Sequence, residues 1–121
     1  MKEYRIVVAG CRDYKNYFKI SRELKKYINN LGDDCEIIIV SGGASGVDAL
    51  GEKFAKKHNF KVERYPAEWE KYGRSAGPIR NSKMAQAADG VIAFWDGKSR
   101  GTKNMIECAE KAKKPCKIIN I

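Results

Sequence analysis

Long hydrophobic runs are missing from this chain. Its apolar residues come in short blocks such as 5–9, 37–40 and 91–95, far below the roughly 20 residues that a membrane span requires. No membrane partner is expected. The first five residues run straight into a strand-like segment, without the apolar core and small-residue cleavage site of a signal peptide, so the cytoplasm is the expected location. Metal-ligand patterns are also missing. There is one histidine, His58, and the four cysteines, Cys11, Cys35, Cys108 and Cys116, form no CxxC pair. No zinc or other metal site is expected. The cysteines fall in or beside predicted strands and helices, which reads as reduced, mostly buried thiols rather than a disulfide framework. No repeat, low-complexity tract or linker interrupts the 121 residues, so one domain spanning 1–121 is expected.

Two nucleotide-enzyme signatures are absent as well. A glycine-rich loop occurs at 41–48, but no Lys-Ser/Thr pair follows its last glycine, and GxGxxG does not follow the first strand. ATP hydrolysis through a P-loop and ordinary dinucleotide redox chemistry therefore lose support, and no cofactor is called for.

Positive charge is what the chain has in excess: 24 Lys and Arg against 15 Asp and Glu, a net +9. Such a balance attracts phosphates from a distance without identifying their carrier. Much of it lies on predicted helix faces, as in Lys25-Lys26 and Lys56-Lys57, where solvated lysine is ordinary.

Strand and helix patterns alternate throughout, which predicts an α/β fold with a parallel sheet covered by helices. Strands are expected at about 5–9, 36–41, 61–65, 90–95 and 117–121; the second and fourth are nearly continuous apolar runs, as when both sheet faces are buried. Ile20, Leu24, Tyr27, Ile28 and Leu31 recur at helical spacing before Gly32, and Val47, Leu50 and Phe54 mark a second helix over about 47–58. A third helix is expected to start near Pro78. A fourth follows Gly101, carries Met105, Ala109 and Ala112, and stops before Pro115. The stretch 67–77 is the longest expected irregular segment.

In such a sheet every strand-to-helix loop emerges at the carboxyl edge, so loops distant in sequence meet around one crevice. Four loops carry the chemistry. Gly10 and Arg12 follow the first strand; Ser41, Gly42, Gly43, Ala44, Gly46 and Asp48 follow the second; Arg74, Gly77, Arg80 and Asn81 precede or enter the third helix; and Ser99, Arg100, Gly101 and Thr102 open the fourth. Free amides at helix starts attract phosphate, glycine lets backbone approach it, and arginine binds it through paired hydrogen bonds. Asp48 is suited to a ribose hydroxyl but equally to stabilising its own helix through the dipole. Trp69, Tyr72 and Trp95 are expected in core packing rather than stacking, and His58 outside the chemistry.

Taken in order, Ala9-Gly10-Cys11-Arg12-Asp13, the loop from Ser41 to Asp48, the segment from Gly73 to Asn81 with Met84, and Ser99-Arg100-Gly101-Thr102 before Met105 resemble the YspA-type branch of the SLOG superfamily, relatives of LOG and DprA proteins. The resemblance implies a Rossmann-like three-layer α/β/α fold with a five-stranded parallel sheet in order 3-2-1-4-5, a nucleotide-derived ligand such as an ADP-ribose-like compound or a cyclic nucleotide at the carboxyl edge, and a homo-oligomer. LOG enzymes cleave the N-glycosidic bond of nucleoside monophosphates with an arginine of the third helix and a glutamate just after the Gly-Thr of the fourth. Arg80 matches that arginine, the one candidate catalytic residue. Asn104 stands where the glutamate belongs, and an amide cannot act as a carboxylate base. Ligand binding or sensing is thus the expected function. Phosphoribohydrolase activity and DprA-like binding of single-stranded nucleic acid are the alternatives.

Overall fold

A computed structural model describes residues 2–121 of the chain. Strand β1 (Lys2–Gly10) leads to helix α1 (Tyr17–Asn29), β2 (Cys35–Ser41), α2 (Val47–Lys57) and β3 (Lys61–Arg64). The short helix α3 (Trp69–Tyr72) and a 3-10 turn (Gly73–Ser75) run into α4 (Ala76–Ala87), followed by β4 (Gly90–Trp95), α5 (Arg100–Lys111) and β5 (Cys116–Asn120). The five strands form one parallel sheet in order β3-β2-β1-β4-β5, the expected Rossmann-like arrangement. No helix of the described residues is long and apolar enough to cross a membrane.

Alternation along the strands builds the three layers. Ile6, Val8, Ile37, Ile39, Ile92 and Phe94 turn to one face and pack with Ile20, Leu24 and Phe54 of α1 and α2. Val7, Ala9, Val40 and Val91 turn to the other and meet Met84, Ala85, Met105 and Ala109 of α4 and α5. A period of two on strands and of three to four on helices satisfies both faces. Fully burying side chains of this size contributes about 1.5–3 kcal/mol each, which makes the sheet a stiff platform for its loops.

Two elements depart from expectation. β1 begins at Lys2 rather than Arg5, because its exposed first residues still pair with β2 from Lys2 opposite Cys35; backbone pairing needs no buried side chain. α4 begins at Ala76, two residues before Pro78. The first four amides of a helix have no intrahelical partner, so a proline in that turn sacrifices nothing. Most of the expected irregular stretch 67–77 is accordingly helical. Arg80 and Asn81 lie in the second turn of α4, beyond the reach of its free first-turn amides.

Side chains add further cross-links to the sheet. Asp89 accepts the Arg5 amide at 2.8 Å, Tyr4 and Tyr27 share a hydroxyl hydrogen bond of 3.1 Å, and the Arg5 guanidinium spans β2 to grip both oxygens of Glu63 on β3 at 2.9 and 3.0 Å.

Candidate functional site

At the carboxyl edge the β1 and β2 loops are interlocked through backbone. Val47 donates its amide to the Cys11 carbonyl at 3.0 Å, and the Ser45 hydroxyl bonds the Arg12 carbonyl at 3.0 Å. Gly46 makes this approach possible. Its φ of +72° and ψ of −128° suit glycine alone, and a Cβ there would collide with Cys11 and Arg12 backbone atoms. One amide at the start of α2 is consequently spent inside the protein.

Two adjoining cavities flank the resulting wall and share Arg12, Ala44 and Arg80. The smaller, about 330 Å³, brings together Gly10, Arg12, Ala44, Asp48, Arg80, Asn81, Ser99, Gly101 and Thr102, with Asp13 and Asp96 at its rim and Met84 and Met105 in its lining. The larger, about 470 Å³, is formed by Gly42, Gly43, Ala44, Ser45, Arg12, Arg64, Arg80, Pro66, Ala67 and Trp69, without a carboxylate in its lining.

Arg80 stands between them. Its Nη1 donates to the Gly42 carbonyl at 2.8 Å and to the Tyr65 carbonyl at 3.4 Å, while Nε donates to Asn81 Oδ1 at 2.9 Å. Gly42 leaves room for it: a Cβ at Gly42 would lie 2.5 Å from Nη1 and 2.9 Å from Asp48 Oδ2. Burial pushes the Arg80 guanidinium below its ordinary value, against the pull of Asp48 and with the help of Arg12, yet arginine remains charged. Asp48 is buried, and burial pushes its carboxyl above the ordinary value, opposed by the Ala44 amide at 3.2 Å and by Arg80 and Arg12. Arg12 is exposed, and its guanidinium has no hydrogen bond or ion pair among the described residues, so it is free to meet an incoming anion.

The remaining polar groups are largely occupied with one another. Asn81 donates to Asn104 Oδ1 at 2.9 Å and to the Gly101 carbonyl at 3.4 Å. Ser99 caps α5 by accepting the Thr102 amide at 3.3 Å and shares a hydroxyl bond of 2.9 Å with Thr102. Asp96 accepts the amides of Ser99 and Lys98, both at 2.8 Å, which hold its carboxyl below the ordinary range.

Several residues singled out in the sequence lie outside this crevice. Ser41 is buried beneath the loop, bonding Glu52 at 2.6 Å and the Gly43 amide at 3.0 Å. Arg74 and Arg100 are exposed and line neither cavity. Gly77 lines neither: it lies beneath the Trp69 indole, 3.5 Å separating a would-be Cβ from the ring. Trp69, by contrast, lines the larger cavity, and it is 52 % exposed rather than in the core where its type placed it. Trp95 is half-buried and donates Nε1 to the Ser99 carbonyl at 3.1 Å. His58 bonds the Phe54 carbonyl at 2.9 Å and packs on Phe54 and Phe60 at the far end of α2.

Arg64 and Asp96 are charged site residues that sequence reasoning missed; Arg64 is the cation. It closes β3, and no glycine loop draws attention to it, but the last residue of a parallel strand always faces this edge. It grips both oxygens of Glu52, with Nε to Oε2 at 3.1 Å. Burial works against the Glu52 charge, but the hydrogen bonds from Arg64 and Ser41 win and hold its carboxyl below the ordinary value.

Known proteins share this architecture. DprA, a DNA processing protein from Streptococcus pneumoniae, superposes with a TM-score of 0.71 at 20% identity over 97% of this chain and 50% of its own, so the chain spans half of that protein's length. A second solved structure, TM1055, superposes with a TM-score of 0.64 at 20% identity, over 96% of this chain and 72% of its own. In sequence, the Gene 61 protein of Mycobacterium phage D29 is 32% identical over 114 residues, 89% of this chain and 90% of the phage protein. Residues 4–72, which run from β1 through the glycine loop to α3, match the family described as YspA, cpYpsA-related SLOG. With that match and that level of identity to the phage protein, the chain belongs to the YspA, cpYpsA-related SLOG family.

Proposed function

We propose that the chain binds a nucleotide-derived phosphate ligand in the two joined cavities, and that it binds the ligand without breaking its glycosidic bond. The observation that carries this reading is the larger cavity's lining: three guanidinium groups, Arg12, Arg64 and Arg80, around a bare glycine turn, with Arg64 ion-paired to Glu52 and Arg80 beside Asp48. Arg12 is the unengaged cation of the three. Paired guanidinium hydrogen bonds and close backbone approach are what a phosphate group requires. The adjoining cavity presents acceptors, Asp13, Asp48 and Asp96, which suit sugar hydroxyls and exocyclic amines.

Turnover finds less support. Opposite Asn81 stands the amide of Asn104, and no carboxylate occupies that place to act as base or to offset positive charge developing on a sugar. Asp48, the buried carboxylate here, is engaged by the Ala44 amide.

Calorimetric titration with AMP and with adenosine tests the reading. AMP is expected to bind and adenosine to bind far more weakly, and Arg12→Ala is expected to weaken AMP by about tenfold or more, the worth of a charge-assisted hydrogen bond. Equal affinity for AMP and adenosine, or an Arg12→Ala variant that binds AMP as wild type does, would refute it. Free base accumulating in proportion to protein would establish turnover instead.

A further inference from the structure

Among the described residues, Trp69 and Phe18 are the large aromatic hydrophobics left exposed, and Trp69 forms a wall of the arginine cavity. It is not a loose side chain. The indole begins α3, and its edge rests 3.5 Å from the place a Gly77 Cβ would occupy on α4. The contact is made by the tip of the indole, and the residue is about half exposed. Lys71, the neighbouring cation, lies over Tyr72 at 5.1 Å and leaves the indole uncovered. Pro66 and Ala67 continue the same wall, and the three arginines stand around the cavity from it.

We propose that Trp69 is the stacking surface for a nucleobase, so that the ligand is a base-bearing phosphate: its base lies on the indole and its phosphate on Arg12, Arg64 and Arg80. This rests on the phosphate reading above and narrows it to nucleotides rather than sugar phosphates or free inorganic anions. An indole face accepts any base because every base offers a π surface, and stacking of this kind is worth enough to dominate selectivity. The aromatic surface and the three arginines line the same cavity, as a base and a phosphate of one molecule require.

The experiment titrates AMP and ribose 5-phosphate into the wild-type chain, Trp69→Ala and Trp69→Phe, with circular dichroism confirming that each is folded. Wild type is expected to prefer AMP by about tenfold or more. Trp69→Ala brings AMP down to the affinity of ribose 5-phosphate and leaves ribose 5-phosphate unchanged, whereas Trp69→Phe retains most of the preference. A Trp69→Ala variant that keeps the preference, or that loses both ligands by the same factor, overturns the stacking role while leaving the phosphate reading standing. Equal wild-type affinity for the two compounds does the same. If neither compound binds wild type, both readings fall together.

Discussion

Replacing Gly42 by alanine adds a single methyl at the point where Arg80 and Asp48 meet. Its carbon would sit 2.5 Å from Arg80 Nη1, 2.9 Å from Cζ and 2.9 Å from Asp48 Oδ2, all inside normal contact distance, so the guanidinium must withdraw. Withdrawal breaks the 2.8 Å bond from Nη1 to the Gly42 carbonyl. A hydrogen bond from a charged donor is worth about 1.5–3 kcal/mol, and a half-buried arginine recovers part of that from water, leaving an expected loss of about 1–2 kcal/mol. In urea the midpoint falls while the slope stays constant, and Tm drops by roughly 3–6 °C per kcal/mol for a chain of this size. On the proposed phosphate reading the affinity for AMP falls by about tenfold or more, since Arg80 withdraws from the cavity it shares with Arg12 and Arg64. The attribution to Arg80 is checked by a double-mutant cycle with Arg80→Ala. In that background Gly42→Ala should cost little, because the group it displaces is already gone. A full-sized cost in the Arg80→Ala background, or no change in either stability or affinity in wild type, refutes the reasoning.

Gly46→Ala faces backbone on all sides at a positive φ, so strain and overpacking together should cost about 2–5 kcal/mol in urea unfolding; a cost below about 0.5 kcal/mol would show that the β1 and β2 loops are not locked as described. For Asp48, burial raises the folded pKa above the ordinary 3.8, so the folded chain retains a proton that the unfolded chain has released. Its contribution to stability therefore declines as pH rises from that value through the folded pKa, and Asp48→Asn should gain relative to wild type between pH 4 and pH 7; the opposite trend in denaturant titrations would mean that Arg80 and Arg12 outweigh burial. Glu52 has the opposite sign, its pKa held below 4.5. Glu52→Gln should cost about 1–3 kcal/mol at pH 7, and the difference from wild type should shrink as pH falls through the folded pKa. A deficit that does not vary with pH would separate Glu52 from its ion pair with Arg64.

The layers of the fold were legible because burial imposes a period. Ile6 and Val8 against Val7 and Ala9, or Ile20 and Leu24 on α1, announce their faces in the order of the chain. The sheet order came from the resemblance carried by the four loops, and the strand pairings agree with it. Position within a helix turn was harder to read. Pro78 marks a helix start equally well at the first or the third position, and only the 3-10 turn leading into Ala76 decides between them. Glycine loops advertised Arg12, Gly42 and Gly43 but also drew attention to Gly77, which lines neither cavity. Residue type misplaced Trp69 itself, because an indole belongs in a core unless a ligand or partner has a use for it. Arg64 escaped notice because its signal is topological, the last position of a strand, and topology is a property of the assembled sheet.

The side-chain fastenings between Arg5 and Glu63, Arg5 and Asp89, and Tyr4 and Tyr27 involve none of the residues that line the two cavities. A change in a lining residue therefore leaves these cross-links in place, and part of the sheet's cohesion survives when the site is altered.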